Sequence, residues 1–106
     1  MTDTTTRTAT GPTTGIITEQ DRVRLAPGVM LRHDRARDQW TLLAPERVLV
    51  LDEVALDVVR ACTADAASVG TAIDRLAAQF EAPRAEIAAD VLDLLHTLRD
   101  RGFITS

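Results

Sequence analysis

The sequence predicts an α+β domain in which three short antiparallel strands precede three α-helices. Three observations carry this. Apolar and polar residues alternate with period two between Val29 and Ala44. Arg47-Val48-Leu49-Val50-Leu51 then breaks the alternation with a run too short for a helix. From Ala55 onward the apolar residues recur at three- and four-residue spacing. Period two marks a strand with one buried face, and period 3.6 marks a helix with one apolar stripe. Strands followed by helices, rather than alternating with them, give the segregated α+β class.

Residues 1–21 are Thr-rich, interrupted by Gly11, Pro12 and Gly15, and carry few large apolar side chains. They offer too little burial to offset ordering entropy and are expected to form a disordered tail. The folded domain is expected over residues 22–106. Pro27-Gly28 signals a turn. Val29, Leu31 and His33 alternate with Met30, Arg32 and Asp34, the first strand. Polar residues 35–38 close a hairpin, and Trp40, Leu42 and Ala44 return as the second strand. Pro45 ends it, and Arg47–Leu51 forms the third.

Asp52 is placed to cap the first helix, whose stripe is Ala55, Val58, Val59 and Cys62. A second helix begins near Ser68, with Val69, Ile73, Leu76 and Phe80 on one side. Gly70 lowers its helical propensity by roughly 1 kcal/mol relative to Ala. Pro83 suits the first position of a third helix, along which run Ile87, Val91, Leu94, Leu95 and Leu98. Gly102 stops it. Phe103 and Ile104 are expected to fold back onto the core.

Composition narrows the function. One domain of 106 residues has room for a single core, and with only Trp40, Phe80 and Phe103 as aromatics that core is aliphatic. All 12 basic residues are Arg. Residues 22–47 set six arginines against Asp34, Asp38 and Glu46, whereas residues 48–106 set five against ten carboxylates. The acidic helical part repels a phosphate backbone, which argues against nucleic-acid binding. A single cysteine, Cys62, forbids an internal disulfide and fits a reducing compartment. The opening MTDTTTRTAT lacks the regions of a signal peptide, so a cytoplasmic protein is expected.

No catalytic or cofactor apparatus is legible. His33 and His96 are distant in sequence, with no partner at metal-ligand spacing. Asp93, His96 and Asp100 share a helical face, where a solvated surface is the default over an acid–base cluster. Cys62 closes an apolar stripe and reads as a buried thiol. No glycine pattern cradles phosphate. Elimination leaves a binding or delivery role. The doubly apolar Arg47–Leu51 strand is then either buried on both faces or waiting to be covered.

Leu25-Ala26-Pro27-Gly28-Val29, Leu31-Arg32-x-Asp34-x-x-Arg37 and Leu42-Leu43-Ala44-Pro45-Glu46-Arg47-Val48 resemble the PqqD family, small peptide-binding proteins of pyrroloquinoline quinone biosynthesis. The likeness continues through Leu51-Asp52 and Ile87-x-x-Asp90-Val91-x-x-Leu94-Leu95-x-x-Leu98, covering roughly residues 22–104. Thr63-Ala64-Asp65-Ala66 departs from the family's frequent Asp-Gly turn. The resemblance implies a winged-helix-like fold without catalysis. It implies binding of the precursor peptide PqqA and its presentation to the radical SAM enzyme PqqE, which joins a Glu and a Tyr side chain. Iron–sulfur clusters and S-adenosylmethionine would belong to the enzyme, and no cofactor or metal to this chain.

Under this resemblance the peptide adds as a strand to an exposed edge. Arg47, Val48, Leu49, Val50 and Leu51 are the expected edge, with one apolar face on the core and the other toward a groove. Val91, Leu94, Leu95 and Leu98 of the third helix form the opposite wall, at least two of them shared with the core, and Arg47 and Asp90 stand at the rim. Three alternatives are a winged-helix DNA-binding protein, a recognition element for another modified peptide, and a homodimer formed through the apolar edge.

Overall fold

The computed structural model describes residues 15–63 and 67–105. Its elements run β1 (Arg24–Leu25), β2 (Met30–Asp34), β3 (Gln39–Ala44), β4 (Arg47–Leu51), α1 (Glu53–Thr63), α2 (Val69–Phe80), α3 (Arg84–Asp100) and β5 (Ile104–Thr105). The α+β class and the three expected strands and helices are all present. The departure from the family at Thr63-Ala64-Asp65-Ala66 falls largely outside the described residues.

β2, β3 and β4 form an antiparallel sheet in that order. Asp34 shapes the first hairpin, accepting the Ala36 and Arg37 N–H groups at 3.0 and 3.3 Å. Pro45 and Glu46 form the second turn, closed by the pair Ala44 and Arg47. Leu31, Leu42 and Leu49 lie opposite one another on the core face. Met30, Leu43 and Val48 share the other face, as do Arg32, Thr41 and Val50.

The helix ends follow local chemistry. Asp52 Oδ1 accepts the Ala55 N–H at 2.7 Å, and Ser68 Oγ accepts that of Thr71 at 3.2 Å. Such caps satisfy amides that a first turn leaves without partners. Arg101 closes α3, and Gly102 follows at φ +84°, a left-handed conformation that glycine adopts without steric cost. Val58, Val59, Cys62, Val69, Ile73, Leu76, Leu95 and Leu98 fill the core, with Phe103 and Ile104 folded onto it.

Two features escape periodicity. β1 pairs with β5 over two residues each, too short a ladder for an alternation to register. Residues 15–21, assigned to the tail by their composition, pack as a strap instead. Ile17 is 1% exposed. Its N–H donates to His96 Nε2 at 3.0 Å. The carbonyls of Asp21 and Glu19 accept the Val69 and Gly70 N–H groups, both at 2.8 Å. One buried isoleucine and three backbone bonds order a segment that looks unstructured by average composition. Residues 1–14, the rest of the expected tail, lie outside the described residues.

Gly70 therefore serves this contact. A Cβ there would stand 3.2 Å from the Glu19 carbonyl oxygen. Gly70→Val should force the strap off α2 and lower stability by about 1–3 kcal/mol, read as a reduced urea midpoint at unchanged slope. Arg84 ties the same corner, reaching Glu19 at 2.7 Å and Asp74 at 2.5 Å. Its guanidinium holds the Glu19 carboxyl below the ordinary carboxylate value.

Candidate peptide-binding site

β4 is an edge strand with β3 on one side only. In a hairpin closed by a two-residue turn, the residues flanking the turn exchange both hydrogen bonds, and the pattern then alternates. Arg47, Leu49 and Leu51 thus pair with β3, while Val48 and Val50 turn their N–H and C=O groups toward the open edge. These are unpaired donors and acceptors of the kind that an added strand completes.

Two contacts, one before and one after the edge, set its direction against that of α3. At its start, Arg47 Nη1 donates to the Arg101 carbonyl at the end of α3. At its far end the chain enters α1, and Val54 meets Ile87, Asp90 and Val91 of α3 in an apolar pocket of about 210 Å³. Val58, Leu76 and Phe80 complete that pocket. Ile87, Asp90, Leu94 and Arg101 follow one another at three-, four- and seven-residue spacing, one line along the helix. The expected groove between edge and helix would have the arginine contact and the apolar pocket at its ends.

The expected site residues divide accordingly. Arg47, Val48 and Val50 are exposed, Leu49 is half-buried and Leu51 is buried against the core. Asp90 is exposed at the pocket, and Leu94 is half-buried one turn further along α3. Val91, Leu95 and Leu98 are each at most 1% exposed. Leu95 and Leu98 are core residues, in keeping with the expectation that at least two of the four are shared with the core, and Val91 lines the apolar pocket. The stripe read from sequence was one apolar arc, and the core claims most of it.

The second apolar face of β4 also lies elsewhere than expected. Val48 and Val50 point to the open face of the sheet, beside Leu43 and Thr41, rather than toward α3. Val54 and Phe80, which line the apolar pocket, were not among the residues expected at the site. They are 57% and 37% exposed, large apolar side chains near helix ends, and their meeting across α1 and α2 is a tertiary fact.

The side chains with chemical potential are otherwise engaged. His96 Nδ1 lies 2.6 Å from the Leu92 carbonyl, so it donates there while Nε2 accepts from the strap, which fixes one neutral tautomer. His33 meets Asp38 at 3.0 Å and lies against Trp40, with ring centroids 4.9 Å apart. The Arg60 guanidinium stacks on the same Trp40 ring at 4.7 Å. Cys62 is 1% exposed, and burial pushes its thiol up to about 11. Among the described residues no cluster of His, Cys, Asp or Glu could hold a metal ion, and no helix is long and apolar enough to cross a membrane.

Comparison with known proteins shows the family and the fold. Residues 39–104 match the family model of coenzyme PQQ synthesis protein D (PqqD). A protein of Rhodopseudomonas palustris strain HaA2 named "PqqA binding protein" is 45% identical over 89 residues, covering 84% of this chain and 86% of that one. A protein of the same name from Xanthomonas euvesicatoria is 47% identical over 88 residues, covering 83% and 95%. The solution structure of the PqqD truncation of Methylobacterium extorquens PqqCD superposes with a TM-score of 0.74 at 32% identity. It spans 91% of this chain and all of that one, and is described as a functional, stand-alone recognition element for ribosomally synthesized and modified peptides. These names describe binding and recognition, a non-catalytic role. The sheet followed by three helices, the shared fold and the match over most of the chain lead to one conclusion: this chain belongs to the PqqD family.

Proposed function

We propose that this protein is a cytoplasmic peptide chaperone that binds the precursor peptide PqqA by strand addition to β4 and presents it to the radical SAM enzyme PqqE. The observation that carries the reading is the free edge of β4 at Val48 and Val50, with Arg47 before it on the end of α3 and Val54 after it near the start of α3. The relatives' shared name supports the choice of peptide. Main-chain pairing supplies affinity with little sequence selectivity, and side-chain pockets supply the selection. The 210 Å³ pocket at Val54, Phe80 and Ile87 suits one aliphatic side chain of the peptide. Asp90 at its rim favours a neighbouring cation over an anion. PqqE would then cross-link Glu and Tyr on a peptide held extended.

The test is an NMR titration of ¹⁵N-labelled protein with synthetic PqqA. Shifts are expected at residues 47–54 and along 87–101. Peptides N-methylated at alternate residues sharpen it, since only one alternating set can donate to β4. Two lost edge hydrogen bonds at roughly 1–1.5 kcal/mol each should weaken one set about a hundredfold and leave the other nearly unchanged. Equal affinity of both sets would rule out strand addition.

A further inference from the structure

The open face of the sheet carries an apolar patch that the groove does not use. Met30, Val48 and Val50 are 56%, 65% and 54% exposed, and half-buried Leu43 lies between them in the register. Three neighbouring strands thus present aliphatic side chains to water on one surface, the signature of a contact site rather than of scattered exposure. Arg32, Arg35 and Arg37 border the depression formed by Leu43, Val48 and Val50. Among the described residues none of these three guanidiniums has an ion pair. The nearby carboxylates are committed, Asp34 to the Ala36 and Arg37 amides and Asp38 to His33. The patch is therefore aliphatic at its centre, and three arginines outnumber the one carboxylate of Asp34 at its border.

We propose that this open face is a second docking surface, and that it fits an acidic, aliphatic-bearing surface of the enzyme that modifies the bound peptide. Charge complementarity selects an acidic partner, and the aliphatic centre selects a protein over a polyphosphate, which would leave those side chains unmatched. The proposal deepens the strand-addition reading in one respect. Side chains of an added strand alternate, so every second one points away from the core, beside Val48 and Val50. A partner seated on the open face touches this protein and the outward half of the peptide together. Inward side chains are read by the chaperone and outward ones by the enzyme.

The test compares the full-length protein with Arg32→Glu/Arg35→Glu/Arg37→Glu and, separately, with Met30→Ser. None of these residues lies at the β4 edge or in the groove. Affinity for labelled PqqA is measured by anisotropy, and affinity for PqqE loaded with that peptide by interferometry. The triple variant should bind PqqA within about twofold of wild type yet lose roughly thirtyfold or more for PqqE. Wild-type binding to PqqE should weaken about tenfold from 50 to 500 mM salt, and the variant's dependence should be flatter. Met30→Ser should reduce PqqE affinity by about threefold to tenfold.

Unchanged PqqE affinity in the triple variant would overturn the docking face. So would no detectable binding of wild type to PqqE, a dimer of this chain that only wild type forms, or duplex DNA binding that the variant abolishes. The peptide measurement judges strand addition by itself, so either reading can fail alone.

Discussion

Leu95→Asp should leave the protein largely unfolded at 25 °C, whereas Leu94→Asp, one residue away, should fold and lose peptide affinity. Leu95 has no exposed surface, in a core of aliphatic side chains. Truncating such a leucine to alanine typically costs about 2–5 kcal/mol, and a carboxylate adds the penalty of burying a polar group without a partner. A domain of this size has about 5–15 kcal/mol to lose, so most of the stability disappears. Leu94 is half-buried on the line between the pocket and the Arg47 contact. An aspartate there can reach water, at a folding cost of about 1 kcal/mol, while placing a charge in the proposed groove. PqqA affinity should fall by about tenfold or more. Circular dichroism and urea titration settle the first outcome, and anisotropy the second. Val50→Asp provides the control. Its side chain stands on the open face, so it should remain folded, and any loss of PqqA affinity should stay below that of Leu94→Asp. A folded Leu95→Asp protein with impaired binding would mean that the core assignment is wrong.

The contrast between adjacent leucines marks where sequence reading stopped. The arc Ile87, Val91, Leu94, Leu95 and Leu98 is plain at helical spacing, but an apolar residue facing the core and one facing a ligand have the same hydropathy. Only the position of β4 relative to α3 separates them. Arg47–Leu51 was legible as a strand because its run is short and follows a Pro-Glu turn, and as an edge only through the resemblance. The destination of its second face was not, since alternation gives two faces without saying what covers either. The strap at Ile17 failed for a different reason. Averaged over residues 1–21, Thr and Gly dominate, and one isoleucine docking by its backbone leaves no periodic trace. Gly70 carried the one local hint. A glycine inside an amphipathic helix costs propensity, and the close approach of Glu19 explains why it is there. His96 reads differently once the strap is known. A histidine sharing a face with Asp93 and Asp100 resembles an acid–base cluster, yet both its nitrogens serve structure.

Above pH 9 the protein should lose stability at about 1.4 kcal/mol per pH unit, and Cys62 should account for the loss. The composition isolates the effect. All basic residues are arginine and there is no tyrosine, so Cys62 is the only side chain whose ordinary titration range lies between pH 8 and 12. Burial among Val58, Val59 and their neighbours raises its thiol from the ordinary 9.0 to about 11. The sign follows from proton counting. Between pH 9 and 11 the unfolded chain gives up this proton while the folded chain keeps it. The unfolded state then binds fewer protons, and stability falls as pH rises. Below pH 9 both states hold the proton and the slope vanishes. Across the full window the loss approaches about 2–3 kcal/mol, a large share of the stability of a small domain. Urea midpoints at pH 8, 9, 10 and 11 under reducing conditions measure it. Cys62→Ala should begin about 1 kcal/mol less stable at pH 8, from the sulfur-sized cavity, and should then show little further decline. The two curves should cross near pH 10. If the alanine variant declines in parallel with wild type, the alkaline sensitivity does not come from Cys62. In that case the thiol is not held protonated by the core.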